Sequence, residues 1–211
     1  MKVLVKKLGR PSDVDSGETR KLLVREARRS FAAVGYDATT NRALAEAAGI
    51  TTGAIYHYFP SKLDMYVAAY GEMQEIVQRT FEDAAAIHET FTDKFSAILD
   101  SIAMMSAKDP TLAGFVVGVA SELQRHPELS MAIAPLRLGL GQFLSKMCTD
   151  AVDRGEISEG INAQVLQDLI NVVLTGLSRF SIFVNDQQRG LDVIAGLKQV
   201  VAGTARHVAA K

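Results

Sequence analysis

Thr52, Gly53, Ala54, Tyr56 and His57 stand within six positions of one another. Their types suit contact with a polyanionic duplex. A threonine can hydrogen-bond a base edge or touch a thymine methyl, and an alanine can touch a methyl only. A tyrosine hydroxyl and an imidazole suit phosphate oxygens, contacts that set register rather than sequence. Gly53 has no side chain, so a helix carrying it can lie close to a duplex. The competing reading of Tyr56, His57 and Tyr58 is an aromatic cluster that packs a helix end. Tyr58 is assigned to that cluster, and Tyr56 and His57 to DNA contact. A metal role for His57 is set aside, because no second ligand stands at helical i+4 spacing from it.

These residues need two short helices to position them. Thr40 is a good N-cap, since its hydroxyl can accept a free N–H of the first turn. Leu44, Ala45 and Ala48 then recur at helical spacing. Gly49 falls where a helix ends in a left-handed residue. Thr51 caps a second helix, expected over about 52–58, and Pro60 stops it. Two short helices around a Gly-containing turn form a helix-turn-helix, whose second helix enters the major groove. Small Ala45 and Ala48 let the pair pack closely, and Ile55 and Phe59 are expected to face inward.

The residues from Gly35 to Lys62 resemble the TetR family of transcriptional regulators. The resemblance is carried by Gly35-Tyr36, Thr39-Thr40, Ala47-Ala48-Gly49-Ile50-Thr51, Gly53, Ile55-Tyr56-His57-Tyr58-Phe59 and Ser61-Lys62, in order and at the family's spacing. It implies that Phe31 and Tyr36 belong to the small core behind the recognition helix. It also implies that the Thr40 hydroxyl and Lys62 meet the DNA backbone. The candidate DNA-binding set is therefore Thr40, Thr51, Thr52, Gly53, Ala54, Tyr56, His57 and Lys62.

The chain has 211 residues, and 48% are hydrophobic. Charge divides along it. Residues 1–62 hold eleven Lys or Arg against six Asp or Glu, a balance of +5; residues 63–211 hold twelve against eighteen, a balance of −6. A basic front fits a polyanion partner and an acidic back does not. Cys148 is the single cysteine, so an intrachain disulfide is excluded and a reducing, cytoplasmic setting is expected. Met1 to Leu8 lacks the apolar stretch of a secretory signal. The longest apolar run, Leu112 to Ala120, is far below the ~20 residues of a span, so no membrane partner is expected.

Residues 1–17 are expected to be a flexible basic arm, contacting phosphates or simply solvated. A helix should run from Glu18 to Val34, with Leu23, Ala27, Phe31 and Val34 inward and Arg20, Lys21, Arg25, Arg28 and Arg29 largely elsewhere. Residues 18–64 form the helix-turn-helix domain, and 65–211 a helical body. A connector helix from Ser61 to about Ala86 joins them with no flexible linker. Further helices follow over 91–107, 110–126, 128–154 (broken at Pro135), 161–184 and 191–209. The fold class is all-α.

The resemblance implies that helices from about Phe91 to Phe183 enclose a cavity for a small-molecule effector, and that binding changes the spacing of two reading heads. Candidate pocket residues are Met104, Met105, Phe115, Met131, Phe143, Met147, Asn171, Phe180 and Phe183, and the effector is expected to be apolar or amphipathic. Each apolar one, taken singly, is read first as plain core. The polar residues Glu122, Gln124, Gln142, Asn171 and Arg179 are read first as solvated surface. The last two helices, 161–184 and 191–209, are monomer core by composition; the resemblance pairs them with their copies in a homodimer. A dimer doubles the contacts on a palindromic operator. No G-x-S-x-G, H-E-x-x-H, C-x-x-C or Walker loop occurs, so no catalytic residue, metal or cofactor is expected. The implied function is a ligand-released repressor on double-stranded operator DNA. The alternatives are an activator, or a DNA-binding protein without small-molecule control.

Overall fold

The computed structural model describes residues 13–209, with side chains over 16–203. The basic arm residues Lys2, Lys6, Lys7 and Arg10 lie outside that range. Ten α-helices follow in order among the described residues: α1 (Asp13–Ala38), α2 (Asn41–Ala47), α3 (Thr52–Tyr58), α4 (Lys62–Ala85), α5 (Phe91–Lys108), α6 (Pro110–Arg125), α7 (Pro127–Ile133), α8 (Leu138–Asp153), α9 (Ala163–Val184) and α10 (Gln187–Ala209). A 3-10 turn, Ala134–Arg137, joins α7 to α8, where Pro135 removes a helical donor. Residues 13–17, expected in the arm, are helical.

Local chemistry sets most of the boundaries. Thr40, Thr51, Ser61, Thr90 and Asn162 each accept an N–H of the helix they precede. Gly49 (φ 67°) and Gly155 (φ 68°) take left-handed conformations past the ends of α2 and α8. Gly35 (φ 82°, ψ 177°) interrupts α1 three residues before its end. A Cβ there would also lie 2.8 Å from a Glu122 carboxylate oxygen.

α1 packs against both α4 and α6, so the front of the chain and the body share one continuous core. An aromatic cluster marks the junction. Tyr66 of α4 meets Phe31 at 5.0 Å, Tyr36 at 5.5 Å and Phe115 at 5.3 Å between ring centroids. Tyr36 in turn meets His126 at 4.9 Å. Buried aromatic contacts of this kind contribute ~0.5–1.5 kcal/mol each beyond area burial.

Two polar links cross the same junction. Glu122 of α6 is 5% exposed and accepts the Tyr36 backbone N–H at 3.2 Å. Expected first at the surface, it is tied instead to the last turn of α1. Arg28 is 2% exposed and pairs with Asp109 and, at 3.4 Å, with Glu72. It therefore departs from the solvated side on which α1's cations were expected. Its partners lie at the start of α6 and on α4, which makes it a three-helix tie.

α9 packs against α6, α8 and α10, and α10 also against α5. Among the described residues, α9 is long and apolar enough by composition to cross a bilayer. The longest-run criterion missed this, because Gln167, Asp168, Asn171 and Arg179 interrupt the run without lowering the helix average below that of a span.

Candidate nucleic-acid interface and ligand cavity

α2 and α3 are each seven residues long. Helices so short do not persist alone, so tertiary anchors must hold them. Leu44 and Ala45 anchor α2, and Ile55 (0% exposed) with the adjoining Phe59 anchors α3. Arg20 of α1 lies over the Phe59 ring at 4.9 Å, fixing α3's C-terminal end from outside. Tyr58 is half-buried against this core, as expected.

The opposite face of α3 is free. Thr51, Thr52, Gly53, Tyr56 and His57 are exposed, Ala54 is half-buried, and Tyr56 presents 56% of its surface. No atom lies within 4 Å of where a Gly53 Cβ would sit. The glycine is therefore not required by packing within the chain. Thr40 and Thr51 hydroxyl oxygens accept N–H groups of Ala43 and Ala54 at 3.2 Å. Each hydroxyl proton stays available to an outside acceptor. The structure thus brings seven of the eight expected contact residues around one exposed helix pair.

Lys62 differs from the other seven in being occupied within the chain. Its ammonium donates to the carbonyls of Tyr36 at 2.9 Å, Asp37 at 3.2 Å and Thr39 at 3.4 Å. It also lies 4.5 Å above the Tyr36 ring. All three N–H donors are engaged at the C-terminal end of α1, where orphan carbonyls need partners. Lys62 clasps the start of α4 to the end of α1 rather than presenting a free charge.

Arg42 was missed. It is exposed in the first turn of α2, where no acidic side chain offsets the helix N-terminus, and it forms no ion pair among the described residues. A cation at a helix N-terminus is electrostatically unfavourable unless an anion joins it. That signal was readable in the sequence.

Hollows open among the described helices, and three of them bear on ligand binding. A cavity of about 480 Å³ lies among α4, α5, α6, α8 and α9; a groove of about 630 Å³ lies between α1 and the α5, α6, α9 and α10 helices; a hollow of about 510 Å³ lies between α4 and α8. Of the expected pocket residues, only Met105 and Asn171 line the first. Phe143 and Met147 border the third, and Phe180 the groove. Phe115 belongs to the junction core. Met104, Met131 and Phe183 are 67%, 73% and 88% exposed. Helical periodicity identified these as apolar positions, but not which neighbours each one meets. The cavity's wall from α4 was missed altogether: Tyr70, Met73, Gln74, Val77 and Phe81 belong to the connector itself.

Comparison with known proteins matches residues 23–69 to the model of "bacterial regulatory proteins, tetR family". The chain is 25% identical to the HTH-type transcriptional regulator UidR of Escherichia coli over 186 residues, 88% of this chain and 92% of that one. It is 26% identical to the HTH-type transcriptional repressor AcnR of Corynebacterium glutamicum over 192 residues, 89% of this chain and 93% of the other. The fold is shared with FadR from Bacillus subtilis, solved in complex with stearoyl-CoA: the TM-score is 0.72 at 21% identity, covering 86% of this chain and 96% of that one.

Proposed function

We propose that this chain, whose residues 23–69 match the tetR-family model, is a TetR-family regulator: a dimeric repressor that reads a palindromic operator with α3 and is released by a small molecule held in the α4-lined cavity. The observation that carries this reading is the division of α3. Ile55 is sealed in the core while Thr52, Gly53, Tyr56 and His57 form an open face. A helix so divided, with a glycine that internal packing does not require, is suited to close approach to a major groove. Thr52 and Ala54 would read bases; Thr40, Thr51, Tyr56, His57 and Arg42 would hold phosphates.

A dimer is supported by the outer face of α9. Val165, Leu169, Val172 and Phe183 are 43%, 49%, 69% and 88% exposed, and they recur with Gly176 and Arg179 at alternating spacings of four and three. A partner helix pair would bury that stripe and place two copies of α3 on one duplex. Val193 and Val200 extend the same kind of surface on α10. An effector role for the cavity is supported by its wall. α4 supplies Met65 and Tyr66 to the front core and, over the next two turns, Tyr70 and Gln74 to the cavity. A ligand that prefers one position of α4 shifts the head with it. FadR's stearoyl-CoA complex suggests an amphipathic occupant.

The test is selection of duplexes from a random pool. Enrichment of a palindrome is expected, with Thr52→Ala altering base preference at one position per half-site. Arg42→Gln should lower affinity for every duplex and reduce the slope of log K against log salt by about one. Enrichment of no palindrome, or unchanged profile and slope in the variants, would overturn the reading.

A further inference from the structure

The α4-lined cavity contains one charged side chain, Arg137, and no carboxylate among its lining residues. Arg137 lies at the exposed end of the cavity wall, on the 3-10 turn between α7 and α8, and pairs with no acid among the described residues. The body around it is acidic overall, twelve basic against eighteen acidic residues over 63–211. A guanidinium with no carboxylate partner in such a body, at the edge of a largely apolar hollow, is a site for an anion.

A polar line runs inward from it. The buried Tyr70 hydroxyl accepts a hydrogen bond from Gln74 Nε2 at 2.5 Å, and its ionisation is also influenced by Arg137. Burial raises the Tyr70 phenol above its usual range, and Gln74 and then Arg137 pull it part of the way back. Gln74 Oε1 is buried with no hydrogen-bond partner. A buried acceptor without a donor is costly to leave so, and it becomes satisfied if a ligand brings a hydroxyl or N–H. The α4 and α6 sides of the wall are otherwise apolar, including Val77, Phe81 and Val116, while Ser106, Gln167, Asn171, Thr175 and Ser178 add polar groups from α5 and α9.

We propose that the effector is an anionic amphiphile whose single anionic head pairs with Arg137 at the cavity mouth while its apolar chain lies between α4 and α6. This rests on the reading of the cavity as the effector site. The head's chemistry, carboxylate or phosphate, is shared by a free acid, a phosphate monoester and a coenzyme A thioester, and the test separates these sources. The chain's contact with Val77 and Phe81 makes α4 the element that occupancy moves. A charge-assisted pair at the edge of a low-dielectric hollow should favour an anion over its neutral analogue by about tenfold or more.

The experiment is isothermal titration of the full-length protein with octanoate, decanoate and dodecanoate, and with decanol, decyl phosphate and decanoyl-CoA, all below their micellar concentrations. At least one anionic decyl probe should bind about tenfold or more tighter than decanol. Whichever anion leads identifies the source of the head. Arg137→Gln should bring that ratio down to about twofold, and Arg137→Lys should keep most of it. Equal binding of decanol and every anion would overturn the anionic head while leaving the effector site standing. An unchanged ratio in Arg137→Gln would do the same for Arg137. Binding of no probe would overturn this proposal and count against the cavity as effector site, and operator binding in the same samples reports separately on the head. The wild-type comparison decides the matter even if the variant fails to fold.

Discussion

Lys62 shows how one side chain can match a family pattern and still be occupied. Three carbonyls take its three donors, so its removal should register first in stability. Lys62→Met is expected to lower the unfolding free energy by about 1–2 kcal/mol, read from a urea midpoint, because it leaves those acceptors unpaired. The salt slope of operator binding should stay at the wild-type value; a slope reduced by about one would return Lys62 to the phosphate contacts. Cys148 is a second residue whose surroundings decide its behaviour. It is fully buried, and burial pushes its thiol up to about 11. The thiolate is the reactive form, so native protein at pH 8 should resist maleimide labelling and label fully in denaturant. Rapid labelling of the native protein would contradict that burial.

At the scale of elements, α3 combines a sealed face and an open one within seven residues. Gly53 separates folding from function. Gly53→Ala has room for its methyl within the chain and should stabilise the helix by about 0.5–1 kcal/mol. The same methyl would stand between α3 and the groove floor, so operator affinity should fall by about tenfold, measured by fluorescence anisotropy. Unchanged affinity would move Gly53 off the DNA surface. α4 is the other decisive element. Its first turns hold the head core through Met65 and Tyr66, and its middle turns wall the cavity. That double duty was invisible in its apolar pattern, since both uses present buried residues at the same helical period.

For the whole molecule, the head and body are one packed unit tied by Glu122, Arg28 and the aromatic junction. A displacement of α6 or α4 is therefore passed to α1 rather than absorbed by a linker. In the proposed dimer the remaining freedom lies between copies. Val172→Glu places a charge in the α9 stripe and should give a monomer by light scattering, with operator affinity lower by about a hundredfold or more as the second contact is lost. A dimer that survives this change would put the interface elsewhere.

By itself the amino-acid sequence determined what depends on near neighbours. Thr40 and Thr51 as caps, Gly49 as a left-handed stop, the break at Pro135, the inward Ile55 and Phe59 and the all-α fold follow from backbone groups satisfied within three or four residues and from the 3.6 period. Tertiary structure alone decided what depends on distant partners. Lys62 meets a carbonyl 26 positions away, and Glu122 meets an N–H 86 positions away. Arg28 is buried because α4 and α6 both bring it a carboxylate. Five expected pocket residues scattered over three hollows, Phe115 entered the junction core and Met104, Met131 and Phe183 stayed exposed, for the same reason: a period fixes which side of a helix is apolar, and only assembly fixes what that side faces.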